Sequence, residues 1–343
     1  MLRANITQHG QFPEALAVRR STLPGRGASR MIAGGPMLLK HLHYLTVLAR
    51  ERHFARAAAA CDVTQPTLSA GIKQLEEQLG LLVVQRGKRF EGLTPEGERV
   101  LAWAQRITAD AESLEQEASR LRGGLVGRLR LGVIPAALPA VPVLARPLVR
   151  RHPGVTVTVL STTSIDIQNG LDEFRLDAGI TYLDNEPLAH VRTVPLYREQ
   201  YVLLTPEDGP LAGRKKVTWR EVAQLPLCLM TPDMQNRRIM NAHFAEAGVS
   251  VTPALETNSV FTLCGLVRSG YWSSILPHGF QEMLSGAPHV VTIPFEEVTA
   301  THTLGLVIPD RDPPIPTVVA LVDSLAGLDW SAAAGHPEPA TTR

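Results

Sequence analysis

Residues 62–80 read DVTQPTLSAGIKQLEEQLG. Thr64 offers a side-chain oxygen to cap a helix. Pro66 falls in the first turn, where backbone N–H groups have no helical partner, and Gly80 is a natural stop. Leu68, Ile72, Leu75 and Leu79 recur at spacings of four, three and four, which predicts one buried stripe. Gly71 stands mid-helix, where alanine would be better by about 1 kcal/mol. The opposite face is expected to expose Gln65, Thr67, Ser69, Ala70 and Lys73. On this reading Ala70-Gly71 strips the middle of the outer face of side-chain reach. The glycine then serves close approach to whatever that face meets, and Gly71→Ala should stabilise the helix.

Working outward, FARAAAAC (54–61) is a short helix of small residues suited to close packing, and Asp62-Val63 makes a turn. Two helices joined in this way form a helix-turn-helix, whose second helix fits the DNA major groove. Gln can bond adenine bidentately, Ser several base edges or phosphates, and Lys guanine or phosphate. Gln65, Pro66, Ser69 and Lys73 are therefore expected to read or border bases, with Thr64 and Thr67 on the DNA backbone. LLVVQRGKRFEGL (81–93) has the make-up of a small β-hairpin. Its basic tip, Arg86, Lys88 and Arg89, is expected along the neighbouring phosphates, where each contact steepens the salt dependence of binding.

Thr94-Pro95 opens a long helix with apolar positions Val100, Ala104, Ile107, Ala111, Leu114, Ala118 and Leu121. The 4-3 alternation is that of a coiled-coil seam, and charged flanking positions favour pairing between chains. Gly123-Gly124 and Gly127 are expected to close the helix and form a hinge.

Charge is uneven along the 343 residues, whose net value is +1. Residues 1–36 hold five arginines against one acid and residues 37–96 eight Lys/Arg against six Asp/Glu, so the remainder totals −5. A basic front on an acidic body suits a DNA-facing N-terminal part. Residues 1–36 lack periodicity and are expected to be a disordered basic extension or an over-called start. No run reaches the roughly 20 apolar residues that span a bilayer, and none suits a secretory signal. Cys61, Cys228 and Cys264 fit no metal spacing, and a sparse, odd set suits a reducing cytoplasm.

From Arg128 strands and helices alternate, predicting an α/β fold with a parallel sheet over 128–328. The stretch contains no G-x-S-x-G, P-loop, H-E-x-x-H or G-x-G-x-x-G motif. Neither an enzyme activity, a cofactor nor a metal is expected.

FARAAAACDVTQPTLSAGIKQLEEQLG, followed by VVQRGKRFEGLTPEG, resembles the winged helix-turn-helix of LysR-type transcriptional regulators, and the likeness extends from about Met37 to Leu328. It implies a DNA-binding domain over 37–95, a dimerising linker helix over 96–123 and a two-lobed α/β effector domain over 128–328, similar to periplasmic solute-binding proteins. Lobe I would be about 128–198 and 303–328, lobe II about 199–302, and 329–343 a disordered tail. Also implied are a dimer or tetramer, an interrupted palindromic operator in double-stranded DNA, a small-molecule effector and contact with RNA polymerase. The family often carries Arg-Gln after the recognition serine. Ala70-Gly71 replaces them here, so that arginine's contacts do not transfer.

By the same resemblance the effector cleft would be lined by Pro135-Ala136-Ala137, Thr162-Thr163-Ser164, Met230-Thr231-Pro232 and Thr257-Asn258-Ser259. Their hydroxyls and amides suit a small anion or carboxylate, although such residues are also common helix caps. Arg237 or Arg238 would neutralise an anion if turned inward. Tyr271 and Trp272 read as packing. Two rival readings are a redox sensor using Cys228 and Cys264, and a solute-binding protein without DNA function.

Overall fold

The structure, a computed structural model, describes residues 39–85, 90–184, 186–284, 286–296 and 302–330. The N-terminal extension, the hairpin tip at Arg86, Lys88 and Arg89, and the tail after Trp330 lie outside the described residues.

Helices α1 (Leu39–Glu51), α2 (Phe54–Ala60) and α3 (Gln65–Leu79) pack around one core. His53 Nδ1 caps α2 by accepting from the Ala55 N–H at 3.2 Å, and buried Ala57 and Ala58 let the neighbouring helices close over it. Thr64 caps α3, and Gly80 ends it in the left-handed region at φ 68°. The buried arc of α3 differs from the expected stripe: it holds Leu68, Gly71, Ile72 and Leu75, while Leu79 is exposed. Gly71 comes three residues after Leu68 and four before Leu75, which at 3.6 residues per turn is the same side. A Cβ there would sit 2.6 Å from Tyr44 Cδ2 and 3.2 Å from His41 Cδ2. The glycine serves close packing of α1 on α3, and the close approach expected on the outer face is corrected.

The carboxylate of Glu76 accepts from the N–H groups of Val83 (2.8 Å) and Val84 (3.2 Å), tying α3 to the hairpin, whose arms meet at the antiparallel pair Val84–Leu93. Thr94 caps α4 (Pro95–Leu121) by accepting from the Gly97 N–H at 2.9 Å, and its hydroxyl donates to Leu82 O at 2.6 Å. A Cβ on Gly97 would meet Val83 O at 2.0 Å, so only glycine permits this closure.

The seven apolar positions of α4 do not share one environment. Ala104 is wholly buried in the N-terminal core, which removes it from any seam between chains, and Val100 packs partly against that core. Ala111 and Ala118 are half-buried, whereas Ile107, Leu114 and Leu121 face solvent. Exposed Trp103, four residues before Ile107, joins that face. The expected glycine hinge is also bridged. Ser119 Oγ accepts from the Val126 N–H at 2.9 Å, and Gln116 Oε1 accepts from the Thr317 N–H at 3.3 Å. Gln116 occupies the space a Cβ on Gly127 would need.

The remaining elements are β1 (Val126–Val133), α5 (Ala140–Arg151), β2 (Gly154–Ser161), α6 (Ser164–Asp172), β3 (Ala178–Tyr182), β4 (Val191–Glu199), β5 (Tyr201–Pro206), α7 (Trp219–Val222) and β6 (Cys228–Met230). They continue with α8 (Gln235–Glu246), β7 (Leu255–Thr257), α9 (Val260–Arg268), β8 (Ser274–Pro277), α10 (Gly279–Met283), β9 (Val290–Pro294), β10 (His302–Pro309) and α11 (Pro316–Asp323). One sheet has the order β2-β1-β3-β10-β4. Its first three strands are parallel, but β10 runs antiparallel to both neighbours, so the sheet is mixed where a parallel one was expected. The reason is topological: β4 carries the chain out to the second lobe and β10 brings it back alongside, with His302 opposite Glu199. The second lobe holds the sheet β8-β5-β9 and the pair β6-β7. Trp330, assigned to a disordered tail, instead stacks on Tyr197 with ring centroids 6.0 Å apart.

Candidate DNA interface and interlobe crevice

The outer face of α3 presents Thr64, Gln65, Pro66, Thr67, Ser69 and Lys73, all exposed, opposite the buried arc. The hydroxyls of Thr64 and Thr67 lie 2.8 Å apart. Lys73 Nζ is 3.4 Å from Glu77 Oε1, an exposed pair one turn along. Such a pair is worth about 0–1 kcal/mol and separates readily. The sequence reading does not single out Glu77, although its spacing of four from Lys73 is visible there. It places a negative charge on a face otherwise suited to phosphates.

The expected cleft residues are brought together only in part. Pro135, Ala136 and Thr163 face Met234, Gln235 and Asn236 across a narrow crevice between the lobes, which is closed too tightly to hold a water molecule. Thr163 caps α6 by accepting from the Asp166 N–H at 3.0 Å, and the hydroxyls of Thr162 and Thr163 both donate to the Asp166 carboxylate. Ser164 is buried, with no hydrogen-bond partner for its Oγ among the described residues, and the same holds for Thr231 Oγ1. Met230 belongs to the core of the second lobe. Ser259 caps α9, accepting from the Thr262 N–H at 3.3 Å, and Asn258 is exposed. None of Thr162, Ser164, Met230, Thr231, Asn258 and Ser259 lines the crevice.

Neither arginine fills the role of an inward cation. Arg237 is buried, donating from Nη1 to Met230 O (2.7 Å) and Glu256 Oε1 (2.8 Å) and from Nε to Asn241 Oδ1 (3.0 Å). Arg238 donates from Nε to Glu186 Oε1 at 2.6 Å. Gln235 stands out among residues the sequence reading missed. Its Oε1 accepts from Thr181 Oγ1 on β3 at 3.1 Å, which joins the two lobes. No sequence motif marks it.

Where the chain crosses between lobes, Tyr182 Oη donates to Glu199 Oε1 and lies 3.1 Å from Tyr201 Oη. Burial pushes the Glu199 carboxyl up to about 8, partly opposed by its hydrogen bonds with the two tyrosines. His243 and His302 approach at 3.2 Å between Nε2 atoms beside this cluster, and burial lowers the His302 pKa. Burial also pushes the Cys228 thiol up to about 11 and raises that of Cys264. The nucleophilic form of cysteine is the thiolate, which both environments disfavour. Tyr271, read as packing, is largely exposed.

Residues 39–98 match the family described as "Bacterial regulatory helix-turn-helix protein, lysR family", and residues 122–329 the "LysR substrate binding domain". The chain is 31% identical over 273 residues to the "DNA-binding transcriptional dual regulator OxyR" of Escherichia coli K12, covering 79% of this chain and 89% of that protein. It is 31% identical over 243 residues to a "Hydrogen peroxide-inducible genes activator" of Pectobacterium carotovorum, covering 70% of this chain and 80% of the relative. Among solved structures, a full-length OxyR variant from Pseudomonas aeruginosa superposes with a TM-score of 0.67 at 29% identity, covering 87% of this chain and all of that one. CbnR complexed with its target DNA shares the fold, with a TM-score of 0.62 at 19% identity over 84% of this chain and 98% of that one.

Proposed function

Starting from a chain that belongs to the LysR family of bacterial helix-turn-helix regulators, we propose that it binds operator DNA through α3 and adjusts transcription to a small molecule held between its lobes. The observation that carries the reading is the division of α3. One side is sealed against α1, and the other offers Gln65, Thr67, Ser69 and Lys73 to a groove. The exposed apolar face of α4 supports pairing with a second copy, on an interrupted palindrome. We read the chain as a non-catalytic cytoplasmic protein that meets RNA polymerase at the promoter. No helix among the described residues is long and apolar enough to cross a membrane.

Gel shift on DNA upstream of its own gene, titrated with salt, tests this reading. Specific retention with a steep negative salt slope is expected, and retention no stronger than on scrambled DNA would overturn it. The names of the relatives raise a thiol response as a second reading. It requires a thiolate at Cys228 or Cys264, which burial opposes. Cys228→Ser with Cys264→Ser should therefore leave operator binding in hydrogen peroxide the same as in the parent.

A further inference from the structure

Helix α8 of the second lobe is tied to lobe I at Gln235, Arg238 and His243. Gln235 Oε1 accepts from Thr181 Oγ1 at 3.1 Å, Arg238 Nε donates to Glu186 Oε1 at 2.6 Å, and His243 Nε2 lies 3.2 Å from His302 Nε2. The histidine tie differs from the others because protons can turn it from attraction to repulsion. His243 Nδ1 is 3.2 Å from Glu246 Oε2. A carboxylate only accepts, so that nitrogen carries hydrogen, and Nε2 of His243 is left to accept from Nε2–H of His302. The bond lasts while one of the two facing nitrogens is bare. Once both rings are imidazolium, N–H faces N–H and two like charges meet.

The rings are packed too closely to relieve this by turning alone. They are 3% and 8% exposed. Ring centroids lie 5.0 Å apart for Trp219 and His243, and 6.0 Å apart for Tyr182 and His302. Tyr201 borders both histidines. Relief therefore comes from moving α8 away from β10. Tyr182 on β3 and Tyr201 on β5 keep their protons throughout the neutral range, burial pushing both hydroxyls up. Glu199 on β4, opposite His302, holds its proton below about 8. From α7 the pair meets Trp219, which does not titrate. Asp184, just past β3, and Glu246 on α8 favour a proton on His302, whereas burial and then His243 oppose it and hold its pKa below the usual histidine range. An opened joint with hydrated rings takes up a proton more readily than the closed one. Closure is thus complete above the ordinary histidine pKa of about 6.5 and is lost as pH falls.

We infer that the His243–His302 contact is an acid-released latch: protonation of both rings frees α8 from β10, parts the lobes and alters the hold on operator DNA. The route to DNA runs from β10 through its neighbour β3 to β1, which Ser119 joins to α4. The effect on DNA rests on the proposed regulator reading; the latch itself does not.

Hydrogen exchange of the full chain, read by mass spectrometry and corrected for the intrinsic rate, tests the latch. Protection of α8 should fall about ten-fold between pH 7.5 and pH 5.5, one unit below the ordinary histidine value, while α5 in lobe I keeps its own. His302→Gln retains a donor for His243 and cannot ionise, and its amide oxygen accepts once His243 is protonated. In His243→Gln the amide oxygen accepts from His302. Each variant should keep α8 protected at pH 5.5. If neither folds, the parent's profile decides, since the latch requires loss in α8 and retention in α5. Unchanged α8 protection in the parent, an equal fall in α5, or a fall that persists in a folded variant overturns the latch. Anisotropy on the operator fragment at both pH values reads the consequence. The ratio of the two affinities should differ roughly five-fold or more between parent and His302→Gln, and equal ratios overturn the link to DNA. Absence of specific binding at pH 7.5 would sink the regulator reading, with the exchange data still deciding the latch.

Discussion

A Cβ on Gly71 would lie 2.6 Å from Cδ2 of Tyr44, so the α3 backbone and the tyrosine ring of α1 share a single contact surface. The ring is buried and cannot swing aside freely. Inserting a methyl into such a contact costs about 1–3 kcal/mol, against roughly 1 kcal/mol gained in helix propensity. Gly71→Ala should therefore destabilise the N-terminal domain by about 1 kcal/mol, seen as a lower urea midpoint. An unchanged or higher midpoint would show that α1 yields.

The split of α4 predicts two different outcomes from the same kind of substitution. Trp103, Leu114 and Leu121 are 66%, 69% and 76% exposed. Leu114→Glu should leave the fold intact and shift the sedimentation profile towards monomer. Ala104→Glu should instead unfold the N-terminal domain, because a buried, unpaired carboxylate costs several kcal/mol. A dimer that persists with Leu114→Glu would place the chain–chain contact elsewhere.

Lys73 and Glu77 should act oppositely on DNA. Removing one phosphate contact with Lys73→Ala lowers the salt slope by about 0.9. Glu77→Gln frees Lys73 and removes a repelling charge, which should tighten binding two- to five-fold at low salt, an effect of roughly 0.5–1 kcal/mol. Fluorescence anisotropy across a salt series reads both. Weaker binding with Glu77→Gln would mean the acid orders Lys73 for its contact.

The crossing between lobes should confer a pH dependence on stability. Glu199 is raised to about 8 in the folded protein, so between the ordinary carboxylate range and that value the folded state holds a proton the unfolded state has lost. Its contribution is complete at low pH and declines as pH rises through about 8. Tyr182, Tyr201 and His302 surround it. Glu199→Gln removes the titration, so its stability relative to the parent should improve with pH, on the order of 1.4 kcal/mol per unit in that window. Parallel melting curves from pH 5 to pH 8 check this, and a constant gap would place the carboxyl in water.

Much of the N-terminal architecture is legible because its signals are local. Thr64, Pro66 and Gly80 mark the ends of α3 by chemistry that needs no distant partner. The same four-three spacing also held the answer for Gly71, which shares a side with Leu68 and Leu75. The leucines drew attention to one stripe, although the buried arc is wider. Long-range relations are not written locally. The antiparallel course of β10 follows from the chain's return, Trp330 is ordered by Tyr197, and Gln235 matters through Thr181, which lies 54 residues earlier. Arg237 illustrates the converse: a cation suited to an anion site by type is taken up by Met230 O and Glu256.

The bonds from Ser119 to Val126 and from Gln116 to Thr317 carry a mechanical consequence. With Ala104 anchored under α1 and Gln116 and Ser119 anchored on lobe I, the part of α4 between Ala104 and Ser119 forms a strut of about 22 Å held at both ends. A few degrees of tilt in lobe I is not absorbed at the glycines. The expected effect of such a tilt is sideways travel of the N-terminal domain that carries α3.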